Sequence, residues 1–212
     1  MVNGMKRILF QGDSITDMYR VREDDSYGGC GYATLVSAEI GCDYPGEYEF
    51  FNRGIGGDRS IDLLARIKRD MINIKPDVMS ILVGVNDVWA ELDTKNGVSK
   101  QKYERYMDII INDVLEALPD IKLMIMEPFV LKGSVTEEKW TEFRLGVEQI
   151  ADAARQVANQ HNIKFIPLMK KFDDMAAAGS PDYWTVDGIH PTAAGGELIK
   201  REWIKAFKEL QL

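Results

Sequence analysis

The chain has 212 residues and a formal net charge of −8, with 45% hydrophobic and 28% charged residues. This composition is typical of a globular protein with a substantial core, and the length predicts a single domain covering residues 1–212. The acidic balance argues against nucleic-acid phosphates and anionic membrane surfaces as partners, and it favours a neutral substrate.

The order of apolar runs along the chain predicts alternating strands and helices. Strands are expected at 6–11, 48–52, 78–83, 122–126 and 164–167, and helices at 32–40, 61–74, 100–118, 137–161 and 193–210. Gly41 is expected to end the first of these helices. Residues 89–99 and 170–187 are polar or contain turn residues, and they predict surface loops. Short apolar strands separated by helices indicate a three-layer α/β/α domain around a parallel sheet.

The amino-terminal sequence resembles neither a signal peptide nor a membrane span. Its first apolar run is too short for a signal sequence, and no stretch of about 18 apolar residues occurs anywhere. We therefore expect a cytoplasmic protein without a membrane partner. Cys30 and Cys42 are expected to stay reduced and packed in the interior.

The candidate nucleophile is Ser14, which follows the first predicted strand after Gly12 and Asp13. Backbone N–H groups at a strand-to-helix turn are free to stabilise a developing oxyanion. Ser14 by itself could equally be a capping residue, because serine is common in turns. In open parallel sheets, however, ligands bind beyond the carboxyl ends of the strands, which is where Ser14 lies.

A serine nucleophile needs a base, and the chain has two histidines. His161 ends a long predicted helix, where a cation complements the helix dipole, so we expect a structural role. His190 lies in a loop before the last helix, three residues after Asp187. A carboxylate at that spacing can accept from the imidazole Nδ1–H and leave Nε2 free to take the serine proton. Asp187 could also be an ordinary turn residue and His190 an ordinary surface residue.

Two further segments after predicted strands supply oxyanion donors. The side-chain amide of Asn86 and the backbone N–H of Gly57 are the candidates, together with the Ser14 N–H. We expect neither a cofactor nor a metal, because Asp13 and Asp17 have no histidine or cysteine beside them.

Four blocks now stand in order along the chain, and together they resemble the SGNH (GDSL-like) hydrolase superfamily. The blocks are Gly-Asp-Ser-Ile-Thr-Asp at 12–17, Asn-Arg-Gly-Ile-Gly-Gly at 52–57, Gly-Val-Asn-Asp at 84–87 and Asp-Gly-Ile-His-Pro at 187–191. The resemblance implies Ser14, Gly57, Asn86 and His190 as the named residues and Asp187 as the third triad member. It also implies a flavodoxin-like five-stranded sheet in the order 2-1-3-4-5. Asp87 is expected to brace the site, by a bond to the Ser14 loop.

Within the superfamily, the chain looks most similar to bacterial carbohydrate acetyl esterases of the acetylxylan esterase type. That resemblance implies a short-chain ester substrate, an acetylated oligosaccharide, and we assign Asp13, Arg59, Trp89 and Trp184 to substrate binding. The two indoles are equally interpretable as packing residues. A lysophospholipase or acyl-CoA thioesterase is the enzymatic alternative, and a non-catalytic carbohydrate-binding protein is the alternative from another class. Homo-oligomerisation stays open.

Overall fold

The five predicted strands form one parallel sheet. The computed structural model describes residues 4–210, in which the strands pair in the order β2-β1-β3-β4-β5, and every neighbouring pair is parallel. This confirms the predicted fold class and strand order. The strands are β1 (Lys6–Gly12), β2 (Tyr48–Asn52), β3 (Val78–Leu82), β4 (Lys122–Met126) and β5 (Lys164–Ile166).

Helices cover both faces of the sheet. On one face α2 packs against α10, and on the other α6 packs against α3 and α7. Because both faces are covered, the central strand β3 is buried along its whole length. Between residues 4 and 210 no helix is both long and apolar enough to cross a membrane. The helices are α1 (Ser14–Asp17), α2 (Tyr32–Asp43), α3 (Ser60–Ala65), α4 (Ile67–Asp70), α5 (Val85–Thr94), α6 (Lys100–Ala117), α7 (Trp140–Gln160), α8 (Met169–Ala177), α9 (Pro181–Trp184) and α10 (Ala193–Lys208).

Two predicted helix boundaries were wrong. Helix α2 continues through Gly41 to Asp43, and a Cβ on Gly41 would lie 3.6 Å from the Phe50 ring. The glycine therefore sits within the helix where it packs on β2. The single helix predicted over 61–74 is interrupted at Arg66. The guanidinium of Arg66 donates to the carbonyls of Arg53 and Gly12, and these tertiary bonds hold the break.

Two predicted loops contain helices. Trp89 lies in α5, and only residues 95–99 of the first predicted loop are non-helical. Helix α8 occupies much of the second. Its amino terminus is capped by the buried carboxylate of Glu127, which accepts from the N–H groups of Leu168 at 2.7 Å and Met169 at 2.9 Å. A cap supplied from 41 residues away leaves no local sequence signal.

The expected environment of the cysteines was also wrong. Cys30 and Cys42 are free, as expected, but both are exposed. Cys30 lies in the segment before α2, where its thiol donates to the Met18 carbonyl at 3.4 Å. Their sequence surroundings gave no indication that these thiols face solvent.

Candidate active site

The turn after β1 places Ser14 at the carboxyl end of the sheet. Ser14 is the first residue of α1, and Asp13 caps that helix by accepting from the Ile15 N–H at 3.0 Å. A Cβ on Gly12 would lie 2.3 Å from the Leu82 carbonyl oxygen, so only glycine lets β1 and β3 approach closely here. Close strand packing therefore fixes the backbone that presents the serine hydroxyl.

Ser14, His190 and Asp187 form one hydrogen-bonded chain. The Ser14 Oγ lies 2.9 Å from His190 Nε2, and His190 Nδ1 lies 2.7 Å from Asp187 Oδ2. The carboxylate can only accept, so the proton of a neutral imidazole belongs on Nδ1. Nε2 is then free to accept from the serine hydroxyl. Residues 176 positions apart in the sequence are thus brought together in the arrangement that serine activation requires.

Asp187 is held as a charged acceptor. Burial alone would raise the pKa of its carboxyl, but the N–H and ring of His190 and the N–H of Ile189 lower that pKa below its usual value. Oδ1 accepts both backbone N–H groups at 2.9 Å, while Oδ2 faces the imidazole. The two oxygens therefore have separate tasks, one fixing the loop and the other orienting the ring.

A tight segment after β4 supports the Asp187 loop, and sequence reasoning missed it. The N–H groups of Leu131 and Val135 donate to the carbonyls of Gly188 and Asp187, at 2.8 and 3.1 Å. A Cβ on Gly133 would lie 2.4 Å from the Asp187 carbonyl carbon, so the two loops touch backbone to backbone. In the sequence, Gly133 was the only residue that could have indicated this close backbone contact.

Three N–H donors of the predicted oxyanion hole are available. Neither the Ser14 N–H nor the Gly57 N–H donates to any acceptor between residues 4 and 210. The Asn86 amide uses one proton on the Asp58 carbonyl, at 3.1 Å, and an amide has a second. Gly56 places Gly57 next to the nucleophile, since a Cβ on Gly56 would lie 3.7 Å from the Ser14 Cβ.

Asp87 braces the site from a different side than predicted. We expected a bond to the Ser14 loop, but both carboxylate oxygens accept from Ser60, from its N–H at 3.1 and 3.2 Å and from its hydroxyl. Ser60 begins α3, directly after the Gly57 turn. The carboxylate thus ties the helix that carries Asn86 to the segment that carries Gly57.

Asn52 ties the second block to the first. Its amide donates to the Thr16 carbonyl at 2.7 Å and to the Gly28 carbonyl at 2.8 Å, and its Oδ1 accepts from the Gly54 N–H at 2.9 Å. In the sequence, Asn52 stands out only as part of the block at 52–57. Its position at the end of a strand was the signal that could have identified it as a positioning residue.

Two carboxyls beneath the site are buried away from substrate. The pKa of Asp13 is raised to about 7, mainly by burial and also by the charges of Asp87 and Asp58, although the bond from the Ile15 N–H lowers it. Burial also raises the pKa of Asp87 to about 7, although its bonds from Ser60 oppose that rise. Asp13 Oδ2 has no hydrogen-bond partner among residues 4–210.

An open cleft of about 530 Å³ lies in front of Ser14. One wall is the segment from Asp17 to Arg22, and the other is formed by residues 186, 187, 190 and 191. Tyr19 is 88% exposed at the rim, and Val186 stands exposed opposite it. The cleft is far larger than an acetyl group, so most of it is available to the alcohol portion of an ester.

None of the four residues assigned to substrate binding lines this cleft. Asp13 is only 1% exposed, and Arg59 donates to Asp62 and to the Asn96 carbonyl. Trp89 packs beside Phe143 with ring centroids 6.5 Å apart, and the Trp184 indole donates to the Met175 carbonyl at 3.1 Å. Each of these side chains is engaged in packing or with a protein partner, so their assignment to substrate binding stays a prediction.

The second histidine has a structural contact. His161 Nε2 lies 2.7 Å from Asp108 Oδ1, which connects the end of α7 to α6. Among residues 4–210, no three histidine, cysteine, aspartate or glutamate side chains are grouped so that they could hold a metal ion.

The chain is similar to known proteins over almost its whole length. Residues 10–198 match the GDSL-like Lipase/Acylhydrolase family. The chain is 31% identical over 207 residues to an acetylxylan esterase from Geobacillus stearothermophilus, covering 94% of this chain and 93% of that protein. A structure of a catalytic mutant of an acetylxylan esterase from that organism superposes with a TM-score of 0.86 at 27% identity, covering 100% of this chain and 98% of the other.

A second structure supports the same relationship. A candidate GDSL-like lipase from Parabacteroides merdae superposes with a TM-score of 0.91 at 30% identity, and 98% of each chain is covered. The family match spans all four blocks, from residue 12 to residue 191. The chain therefore belongs to the GDSL-like lipase/acylhydrolase family and is a carboxylic ester hydrolase.

Proposed function

We propose that this protein removes acetyl groups from small acetylated oligosaccharides, with Ser14 as the nucleophile. The observation that carries the proposal is the chain of hydrogen bonds from Ser14 through His190 to Asp187, which opens onto a wide cleft. The similarity to an acetylxylan esterase over nearly the whole chain supports the choice of an acetylated sugar.

In the first half of the reaction, Ser14 Oγ attacks the ester carbonyl carbon and His190 Nε2 takes the hydroxyl proton. The imidazolium that forms is stabilised by Asp187, whose charged form is favoured by the three hydrogen bonds that it accepts. The carbonyl oxygen becomes an oxyanion facing the N–H groups of Ser14 and Gly57 and the free proton of the Asn86 amide.

In the second half, the tetrahedral intermediate collapses to an acetyl-enzyme. His190 returns its proton to the leaving sugar oxygen, and the alcohol departs. Water then enters, gives its proton to Nε2 and attacks the acetyl carbonyl. Collapse of this second intermediate releases acetate and restores the Ser14 hydroxyl, so each step needs only the groups named.

The lining of the cleft favours a polar alcohol. Its walls carry apolar side chains, among them Met18, Val186 and Pro191. The charged side chains of Asp17, Arg20 and Arg22 lie among them, whereas a long acyl chain needs a continuous apolar channel. The exposed ring of Tyr19 offers a face on which a sugar ring can stack. A short acyl group and a hydrophilic leaving group are consistent with these walls.

The test is acetate release from acetylated xylo-oligosaccharides by the wild-type protein and by Ser14→Ala. We expect release by the wild type and a loss of at least about 10³-fold in the variant, since removing the nucleophile leaves only the oxyanion hole and binding. Thermal unfolding of both proteins controls for folding. A fluorophosphonate should label the wild type and not the variant.

A matched series of p-nitrophenyl esters decides the acyl chain. We expect acetate to be hydrolysed faster than octanoate. The reverse order, or turnover of lysolipids or acyl-CoA without release from sugars, would contradict the proposal and identify a lysophospholipase or thioesterase. A folded wild-type protein that neither reacts with the phosphonate nor hydrolyses any ester would identify a binding protein.

A further inference from the structure

One wall of the cleft is formed by an unusual turn. Met18 and Tyr19 both have positive φ angles, 36° and 62°, which bulky residues seldom adopt. The turn projects Tyr19 into solvent, and the next residue, Arg20, lies half-buried in the cleft lining. A strained turn of this kind persists only when the surrounding structure holds it. One hydrogen bond that does so runs from the Arg20 side chain to the Gly54 carbonyl.

Within the part of the chain that the structure describes, Arg20 is a cation without a carboxylate partner. Its Nε donates to the Gly54 carbonyl at 2.8 Å, and within residues 4–210 neither terminal nitrogen has an acceptor and no acidic group lies at ion-pair distance. The neighbouring arginines differ in this respect. Arg22 pairs with Asp17, Arg53 with Asp25, and Arg66 with both Asp58 and Asp70.

The acidic group on the same wall is already engaged. Asp17 Oδ2 accepts from the Gly56 N–H at 3.0 Å and lies 3.5 Å from Arg22 Nη2. Asp187, on the opposite wall, is committed to His190 and to two backbone N–H groups. The two terminal nitrogens of Arg20 therefore have no hydrogen-bond acceptor among residues 4–210, and Arg20 lines the cleft.

The surroundings of Arg20 favour an anion. Burial lowers the pKa of the guanidinium, and the positive charges of Arg53, Arg22 and Arg66 lower it further, while Asp17 opposes them. A partly desolvated cation among like charges gains free energy when a negative group binds it. A carboxylate matches the planar donor pair of a guanidinium in both geometry and charge.

We propose that Arg20 binds a carboxylate on the alcohol portion of the ester, so that the preferred substrates are acetylated oligosaccharides containing a uronic acid. The inference rests on the proposed function. The acetyl group has no charge, and the remainder of the cleft must take the sugar, so the anion belongs to the sugar. The net charge of −8 predicts a neutral substrate, and the local charge at Arg20 overrides that expectation.

The test compares two substrates that differ by one charge, the fully acetylated methyl glucuronide and its carboxyl methyl ester. The quantity measured is the ratio of kcat/KM for the acid to kcat/KM for the methyl ester, from acetate release. The two esters differ in intrinsic reactivity, but this difference is the same for every variant. Comparing the ratio between variants therefore cancels it. The variants are Arg20→Gln, Arg20→Lys and, as a matched control, Arg105→Gln, which removes an exposed charge outside the cleft lining.

We expect Arg20→Gln to lower this ratio about tenfold, because a charge-assisted hydrogen bond to the carboxylate is lost. Arg20→Lys should retain part of the preference, and Arg105→Gln should retain all of it. Added salt should reduce the preference of the wild type and leave that of Arg20→Gln unchanged. Equal ratios in wild type and Arg20→Gln would overturn the inference.

The same proteins separate a failure of this inference from a failure of the proposed function. If the wild type releases acetate neither from these esters nor from acetylated xylo-oligosaccharides, the proposed function fails. Carboxylate binding at Arg20 is then tested by whether a glucuronide protects Ser14 from labelling. Methyl glucuronide should then slow the reaction of Ser14 with a fluorophosphonate in the wild type and not in Arg20→Gln. Equal labelling rates with and without the glucuronide would refute carboxylate binding at Arg20.

Discussion

Replacing Asp187 with asparagine tests whether the orientation of the His190 proton drives the reaction. Oδ1 of Asp187 accepts two backbone N–H groups at 2.9 Å, so the amide oxygen of asparagine is expected to take that position. The amide nitrogen then replaces Oδ2, 2.7 Å from His190 Nδ1, and donates to it. The imidazole proton must move to Nε2, which can no longer accept from Ser14.

We expect kcat to fall by about 10⁴-fold, as for the equivalent change in a serine protease, which corresponds to about 5.5 kcal/mol of transition-state stabilisation. KM should change little, because the substrate does not touch the altered atoms. Stability should also change little, because the two backbone N–H groups keep an acceptor. Steady-state kinetics with p-nitrophenyl acetate and thermal unfolding measure the two effects separately.

Asp187→Ala is the matched comparison. Alanine leaves Nδ1 free to carry the proton, so some molecules keep the productive tautomer, but two backbone N–H groups lose their acceptor. We expect Asp187→Ala to lose more stability than Asp187→Asn and no more activity per folded molecule. An asparagine variant within tenfold of wild-type kcat would refute the tautomer argument.

Three other substitutions probe the surroundings of the nucleophile. Asn86→Ala should lower kcat about 10²- to 10³-fold with the protein still folded, and an unchanged kcat would remove Asn86 from the oxyanion hole. Asp13→Asn should become more stable relative to wild type as pH rises from about 4 to 7, by up to about 4 kcal/mol. The sign follows from the pKa of about 7, because the folded state favours the protonated acid and loses that contribution as pH rises through 7; parallel thermal-unfolding curves would contradict it. Gly12→Ala should unfold at lower temperature, since its Cβ would lie 2.3 Å from the Leu82 carbonyl oxygen, and an unchanged unfolding temperature would contradict that clash.

Much of the site was readable from the sequence because its signals are local. Ser14, Asn86 and His190 each follow a predicted strand or precede a predicted helix, and parallel strands bring their carboxyl ends to one edge. The spacing between Asp187 and His190 lies within one turn, so local geometry suffices to pair them. The ordered blocks then restricted the chemistry to one family.

Which side chains line the cleft was not readable from the sequence in the same way. Trp89 and Trp184 have the residue type expected of a sugar platform, but α5 and α9 place both indoles against protein neighbours. Arg20 lies in no recognisable motif. Whether it has an acidic partner depends on which carboxylates pair with the neighbouring arginines. Such contacts depend on where loops from distant parts of the chain meet.

The sequence alone determined the parallel α/β fold and the residues that form the hydrogen-bonded chain, because periodicity and short motifs act over a few residues. The strand order was implied by the resemblance to a known family, and the structure confirms it. Only the tertiary structure decided the support of that chain, including the capping of α8 by Glu127 and the contact of Gly133 with the Asp187 loop. It also decided which side chains face the cleft. These features arise where segments far apart in the chain pack together, and such packing depends on three-dimensional shape rather than on local residue pattern.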